Sequence, residues 1–278
     1  VAMIAGALVA VALYGLIRYI VPQKRSETED DKKRTFNWGP GEAAAITIFL
    51  YFFSQLLGGL LVFAAPSLLG LSKDKLESFA SSNLGQFVAV TSIQLISLGL
   101  LMWLLKRRGS SIQAIGLKGK PALKDLGYAL VGGLVYVAMY AVAAAGIKAL
   151  VPSLNLEQEQ QLGFSSVQNW QLPLIFIALV ILPPLVEELT MRGFLYSGLR
   201  QKLSLPLAAI ATSGLFAVAH LQPGSGAPLL WVAAIDTFVL SMVLVRLREK
   251  TGRLWSPIML HALKNTIAFL ALFVFHLA

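Results

Sequence analysis

Long apolar runs separated by short polar turns dominate this chain. Eight runs stand out, at about residues 1–22, 42–65, 86–105, 126–151, 172–200, 205–222, 228–246 and 254–277. Each is close to the ~20 residues a helix needs to cross a hydrocarbon core. The expected fold is all-α, a polytopic membrane helix bundle of about eight transmembrane helices. The fifth run is long enough to cross with tilt or an extra turn. Residues 23–41 read as a polar linker of mixed charge with Gly-Pro punctuation. The expected organisation is therefore a set of N-terminal membrane helices over 1–125, including that linker, and a second bundle over 126–278.

Composition supports burial in a bilayer. The 278 residues are 56% hydrophobic and only 13% charged, against about a quarter charged in soluble domains. The absence of cysteine excludes disulfides, thiolate metal sites and a cysteine nucleophile. The run Val1–Ile17 has the length of a signal-peptide core. Arg18 and a charged loop follow it rather than a small-residue cleavage pattern, so a retained first span is expected.

The formal charge of +9 does not point to nucleic acid, because most of the basic residues lie in alternate short loops. Lys24, Arg25, Lys32, Lys33 and Arg34 occupy the first loop. Lys106, Arg107, Arg108, Lys118, Lys120 and Lys124 occupy the third, Arg200 and Lys202 the fifth, and Arg246, Arg248, Lys250 and Arg253 the seventh. The fourth loop instead carries Glu157 and Glu159. This alternation puts the odd loops in the cytoplasm and both termini outside. Residues 106–125 interleave Ile112, Ile115 and Leu117 with lysines. They read equally as an interfacial segment or a solvated loop.

Ionisable residues inside spans are costly and point to function. Glu187, Glu188, Arg192, Asp236 and Lys264 lie in apolar runs, as do all three histidines, His220, His261 and His276. His276 falls at the far end and reads as interfacial rather than as a ligand. Glu187 precedes the middle of the Arg200–Pro206 turn by as many residues as His220 follows it. Equal offsets in an antiparallel hairpin mean equal depth, about 20–25 Å above the turn. His261 enters from the next turn, so the three side chains are expected to share a cavity. Glu188 and Arg192 are four apart and can pair on one helix face. Glu187 is rotated about 100° from Glu188 and is left free. Phe216 and His220 share the four-residue spacing, as do His261 and Asn265. Asp236 and Lys264 match in depth and are expected to form an ion pair between the last two spans, with separate snorkelling as the alternative.

Three motifs then occur in order: Glu187-Glu188-Leu189-Thr190-Met191-Arg192, Phe216-Ala217-Val218-Ala219-His220 and His261-Ala262-Leu263-Lys264-Asn265. Together they resemble the type II CAAX prenyl endopeptidase and bacteriocin-processing (abortive-infection) family of intramembrane proteases. Arg192-Gly193-Phe194-Leu195-Tyr196 and Thr251-Gly252-Arg253-Leu254-Trp255-Ser256-Pro257-Ile258 look like the family as well. The resemblance covers about 170–270, which makes 126–278 the expected catalytic bundle. It implies an intramembrane endopeptidase that cuts near the carboxyl end of a membrane-associated peptide or lipidated protein. By resemblance, Glu187 and His220 would activate a water, and His261 and Asn265 would stabilise the oxyanion. Glu188, Arg192 and Phe216 would support them.

No cofactor is favoured. Zinc is the alternative, with Glu187, His220 and His261 as its two-His-one-Glu ligand set, although His-Glu-x-x-His is absent. The competing functions are a non-proteolytic membrane scaffold, against which the intact motifs argue, and a proton-coupled transporter, for which no inverted repeat is seen.

Overall fold

The computed structural model describes residues 36–68, 70, 72–154, 163–221, 223–224 and 227–277. The first expected span, most of the 23–41 linker, and Glu157 and Glu159 lie outside the described residues. The described residues are all-α apart from one small hairpin.

Helix α1, Pro40–Leu68, starts with proline at a position where the missing N–H costs nothing, and Glu42 lies in its first turn. A short helix α2, Lys73–Ser81, was not anticipated by the hydropathy pattern, since it is too polar and too short to register as a span. Ser82 then caps α3, Asn83–Arg107, by accepting from Gly85 N–H at 3.1 Å. The α2–α3 corner is so tight that a Cβ on Gly85 would sit 1.9 Å from the Phe79 carbonyl oxygen. Helix α4, Leu123–Leu150, begins where Asp125 accepts the Ala122 N–H at 2.9 Å.

Helix α5, Asn169–Leu199, is the centre of the bundle. It is followed by α6, Leu205–Ala219, and by a hairpin of β1, Pro223–Gly224, with β2, Ala227–Leu229. Helix α7, Trp231–Thr251, stops at Gly252, whose φ of +65° closes the helix in the left-handed conformation that glycine adopts freely. Helix α8, Trp255–Phe269, continues in a π turn over Leu270–Val274.

Five of these helices are long and apolar enough to cross a membrane: Pro40–Val62, Asn83–Arg107, Leu123–Leu150, Asn169–Leu199 and Trp255–Val274. Helix α6 is apolar but shorter, and α7 carries Asp236 and a basic last turn. The expected 205–222 and 228–246 runs become 205–219 and 231–251, because the hairpin takes the intervening residues.

Helices α1 and α3 pack together on one side of α5, and α6 packs along α7 on the other. Helix α4 leans on α7 and α8. The main core joins Leu50, Leu101, Leu105, Leu189, Phe194, Leu195, Phe216 and Leu254. The turns at 36–39, 108–122, 200–204 and 252–254 gather at one end. Gln201 donates to the Trp38 carbonyl, Arg248 donates to the Ile115 carbonyl at 3.1 Å, and Trp255 Nε1 donates to the Gly119 carbonyl at 2.9 Å. Ile115 is fully buried, with Ile112 and Leu117 against the same core. The 106–125 segment is thus not a plain solvated loop. Ile112, Ile115 and Leu117 are the underside of a belt tied to the start of α8, and its lysines are exposed.

Candidate active site

Two prolines shape the helix that carries the glutamates. Neither Pro183 nor Pro184 has an N–H, so the Leu179 carbonyl lacks both its four-residue and its five-residue donor. The helix widens there into a π turn over Ile177–Ile181, with Leu182 N–H donating to Ile177. Regular α geometry returns over Leu182–Glu188 and widens again over Leu189–Leu195. Such π turns occur often at functional sites. Asn265 of α8 donates its amide to the orphaned Leu179 carbonyl at 2.8 Å.

Glu188 and Arg192 are completely buried and paired at 2.8 Å. The same carboxylate oxygen, Oε1, also meets His261 Nδ1 at 3.0 Å. The other face of that imidazole approaches Glu187, with Nε2 to Oε2 at 3.9 Å. Glu187 is about a quarter exposed (24%), and its Oε2 has no hydrogen-bond partner among the described residues. The adjacent glutamates therefore have unlike surroundings. Glu188 is clamped by two cationic or donor groups, whereas Glu187 is partly exposed and only loosely held.

Phe216 is the hub beneath them. The Arg192 guanidinium lies 4.5 Å from its ring centroid, a cation–π contact. The rings of His220 and His261 stand edge-on to it at 4.5 and 6.0 Å. His220 Nδ1 contacts the Phe216 carbonyl at 2.9 Å. With a proton on Nδ1, Nε2 is left as an acceptor. Lys264 pairs with Asp236, and Tyr136 of α4 donates its hydroxyl to the other oxygen of that carboxylate.

The structure thus gathers Glu187, Glu188, Arg192, Phe216, His220 and His261 around one point. Asn265 lies on the same helix as His261 but has one amide proton committed to Leu179. Asp236 and Lys264 form a neighbouring cluster. Among the described residues no group of three His, Asp or Glu side chains is assembled closely enough to hold a metal ion.

Two contacts were missed from the sequence. One is Tyr136 on Asp236. The other is Tyr51 of α1, which donates to the Ala219 carbonyl at 2.7 Å. The available signal for Tyr51 was its spacing from Gln55, two polar-tipped side chains four apart in an apolar run.

Residues 169–267 match the family model described as Type II CAAX prenyl endopeptidase Rce1-like. Neither curated proteins nor solved structures offer a match to the chain. The matched segment contains every side chain gathered around Phe216, from Glu187 to His261, and extends through Asn265. Over residues 169–267, and so over the whole cluster around Phe216, this chain is similar to the Rce1-like type II CAAX prenyl endopeptidases.

Proposed function

We propose that this chain is an intramembrane endopeptidase acting near the carboxyl end of a membrane-associated protein or peptide. A prenylated CAAX-type tail is the first substrate to test. The observation that carries the reading is an unpartnered Glu187 oxygen facing His261 Nε2 inside the family-matched segment.

Glu187 takes the proton of a water held between it and His220 Nε2, and the resulting hydroxide attacks the scissile carbonyl; the tetrahedral intermediate then collapses with cleavage of the C–N bond, and Glu187 returns its proton to the leaving amine. A carboxylate base in reach of the water is what such general-base chemistry requires. The charge developing on the carbonyl oxygen is met by donors on α8: the second amide proton of Asn265, and His261 Nε2 when the ring carries both protons. Preorganised donors of this kind supply the electrostatic stabilisation. Glu188 is then the residue that orients His261 and supplies its counter-charge. It is held in turn by Arg192.

A zinc-dependent version of the same reaction is the second reading. It is favoured by one observation: both histidines have Nδ1 engaged by an acceptor, which leaves each Nε2 free, the usual posture of a metal-bound imidazole. Glu187, His220 and His261 would have to draw together to hold the ion, since among the described residues they do not stand as a three-ligand group.

The test uses purified protein in lipid nanodiscs with a farnesylated C-terminal peptide and its unprenylated twin. Cleavage by the wild type that is abolished in Glu187→Gln supports the reading. Cleavage that survives the substitution overturns Glu187 as the base. Stoichiometric zinc in the active protein, with activity lost to a chelator and restored by zinc, selects the metal version. Failure to cut any membrane-anchored peptide favours a scaffold role.

The odd loops are proposed to face the cytoplasm, on the strength of their shared basic end. The chain has no cysteine, so single-cysteine labelling in sealed cells reads sidedness directly. Lys120→Cys should react only from the cytoplasm and Ser166→Cys only from outside; the reverse pattern would invert the topology.

A further inference from the structure

The carbonyl end of α6 sits beside the site, and each of its last four carbonyls has an identified donor. Phe216 meets His220 Nδ1 at 2.9 Å. Ala217 accepts the His220 N–H at 3.0 Å, and Val218 accepts the Leu221 N–H at 3.1 Å. Ala219 accepts the Tyr51 hydroxyl at 2.7 Å. In an apolar surround each such carbonyl needs a partner. Three of the four donors belong to His220 or to the residue after it. The fourth comes from α1, which lies outside the matched segment 169–267.

Tyr51 is itself held. The Gln55 side chain, one turn along α1, lies beside the phenol, and Glu187 lies within electrostatic reach of it. Tyr51 also lines a cavity of about 80 Å³ with Thr47, Ile48, Met191, Leu215 and Val218. The phenol therefore joins α1 to the residue that precedes His220, within reach of Glu187.

We infer that Tyr51 is a positioning residue for His220. By pinning the Ala219 carbonyl it fixes the last turn of α6, and with it the direction of the imidazole whose Nδ1 is tied back to Phe216. Helix α1 is in this way part of the reaction centre and not only a packing partner of α5. The catalytic consequence rests on the proposed endopeptidase function; the positional one does not.

Two measurements test it separately. The first is the ¹⁵N spectrum of ring-labelled histidine in nanodiscs. The chain has three histidines, and a His220→Gln variant assigns the relevant signals. Tyr51→Phe, which keeps the ring and removes the hydroxyl, should shift or broaden the His220 ring nitrogens and leave those of His276 in place. Gln55→Leu should move the same signals by less.

The second is kinetic. Tyr51→Phe should lower kcat roughly tenfold, the worth of one hydrogen bond, with KM changed by less than about twofold. The same substitution should cost nothing further in the residual activity of His220→Ala. A purely structural tyrosine would lower the thermal midpoint while leaving kcat per folded molecule unchanged, and that result overturns the inference. Unmoved His220 signals overturn it as well, or an equal loss in the His220→Ala background. If the wild type cuts no peptide, the endopeptidase reading fails and the histidine spectrum alone decides.

Discussion

Replacing each of the two adjacent glutamates by glutamine should give opposite outcomes. Glu188 and Arg192 have no solvent exposure at all, so Glu188→Gln leaves a guanidinium buried without its counter-charge. It also weakens the contact to His261 Nδ1. Breaking one partner of a buried pair costs about 3–5 kcal/mol. At about 2–4 °C per kcal/mol for a chain of this size, the thermal midpoint should fall by roughly 10 °C. Glu187 is different: its side chain is 24% exposed, and its contact to His261 is a long one of 3.9 Å. Glu187→Gln should change stability by about 1 kcal/mol or less, yet lower kcat by ~10²–10⁴, the usual worth of a general base. The double variant Glu188→Gln/Arg192→Met removes both charges, so it should recover much of the lost stability. Thermal unfolding in nanodiscs and peptide cleavage on the same samples read both effects. Equal midpoints for the two single variants would refute the division of labour. So would a double variant no more stable than Glu188→Gln alone.

Gly198→Ala should loosen the α1–α5 contact, because its Cβ would lie 2.4 Å from Ala43 Cβ and 2.9 Å from Trp38 Cδ1. The expected cost is about 1–3 kcal/mol, read as a lower midpoint; an unchanged midpoint would mean α1 is free to shift. Asp236→Asn deprives Lys264 of its partner and should cost about 1–3 kcal/mol, less than at Glu188 because the lysine is partly exposed. Adding Lys264→Met should restore part of that loss, and simple additivity of the two changes would show that the pair is not coupled.

Hydropathy located the helices well where lipid or core surrounds them on most sides. The expected 86–105, 126–151 and 172–200 runs correspond to Asn83–Arg107, Leu123–Leu150 and Asn169–Leu199. The pattern is blind to elements whose existence does not depend on burial in lipid. Helix α2 and the belt at 108–122 are examples: the belt is held by hydrogen bonds from Arg248 and Trp255 to its carbonyls. The spacing of charged residues also showed that Glu188 and Arg192 share a face and that the histidine helices come to the same level. It did not show that His261 would turn Nδ1 to Glu188, or that Asn265 would be drawn to Leu179. The second follows from which backbone group two prolines leave unpaired, a matter of hydrogen-bond accounting rather than helical period. Tyr51 escaped for a related reason: its ring counts as apolar filler, and only its hydroxyl carries the contact.

The widened turns of α5 also govern how this helix responds to insertions and deletions. Each carries a residue beyond the ordinary helical count. Deleting one residue within 189–195 would let the backbone tighten to regular α geometry with little change of rise or rotation, because about five residues of widened turn cover what about four cover in an α-helix. Tyr196, bonded to Glu249, and Gly198, pressed on Trp38, would keep their bearing on Glu187. A deletion in the regular stretch between the widened turns has no such slack, and everything beyond it would swing by about 100°. The glutamates and the anchor below them are therefore phased by a helix that can absorb a lost residue in one stretch and not in the next.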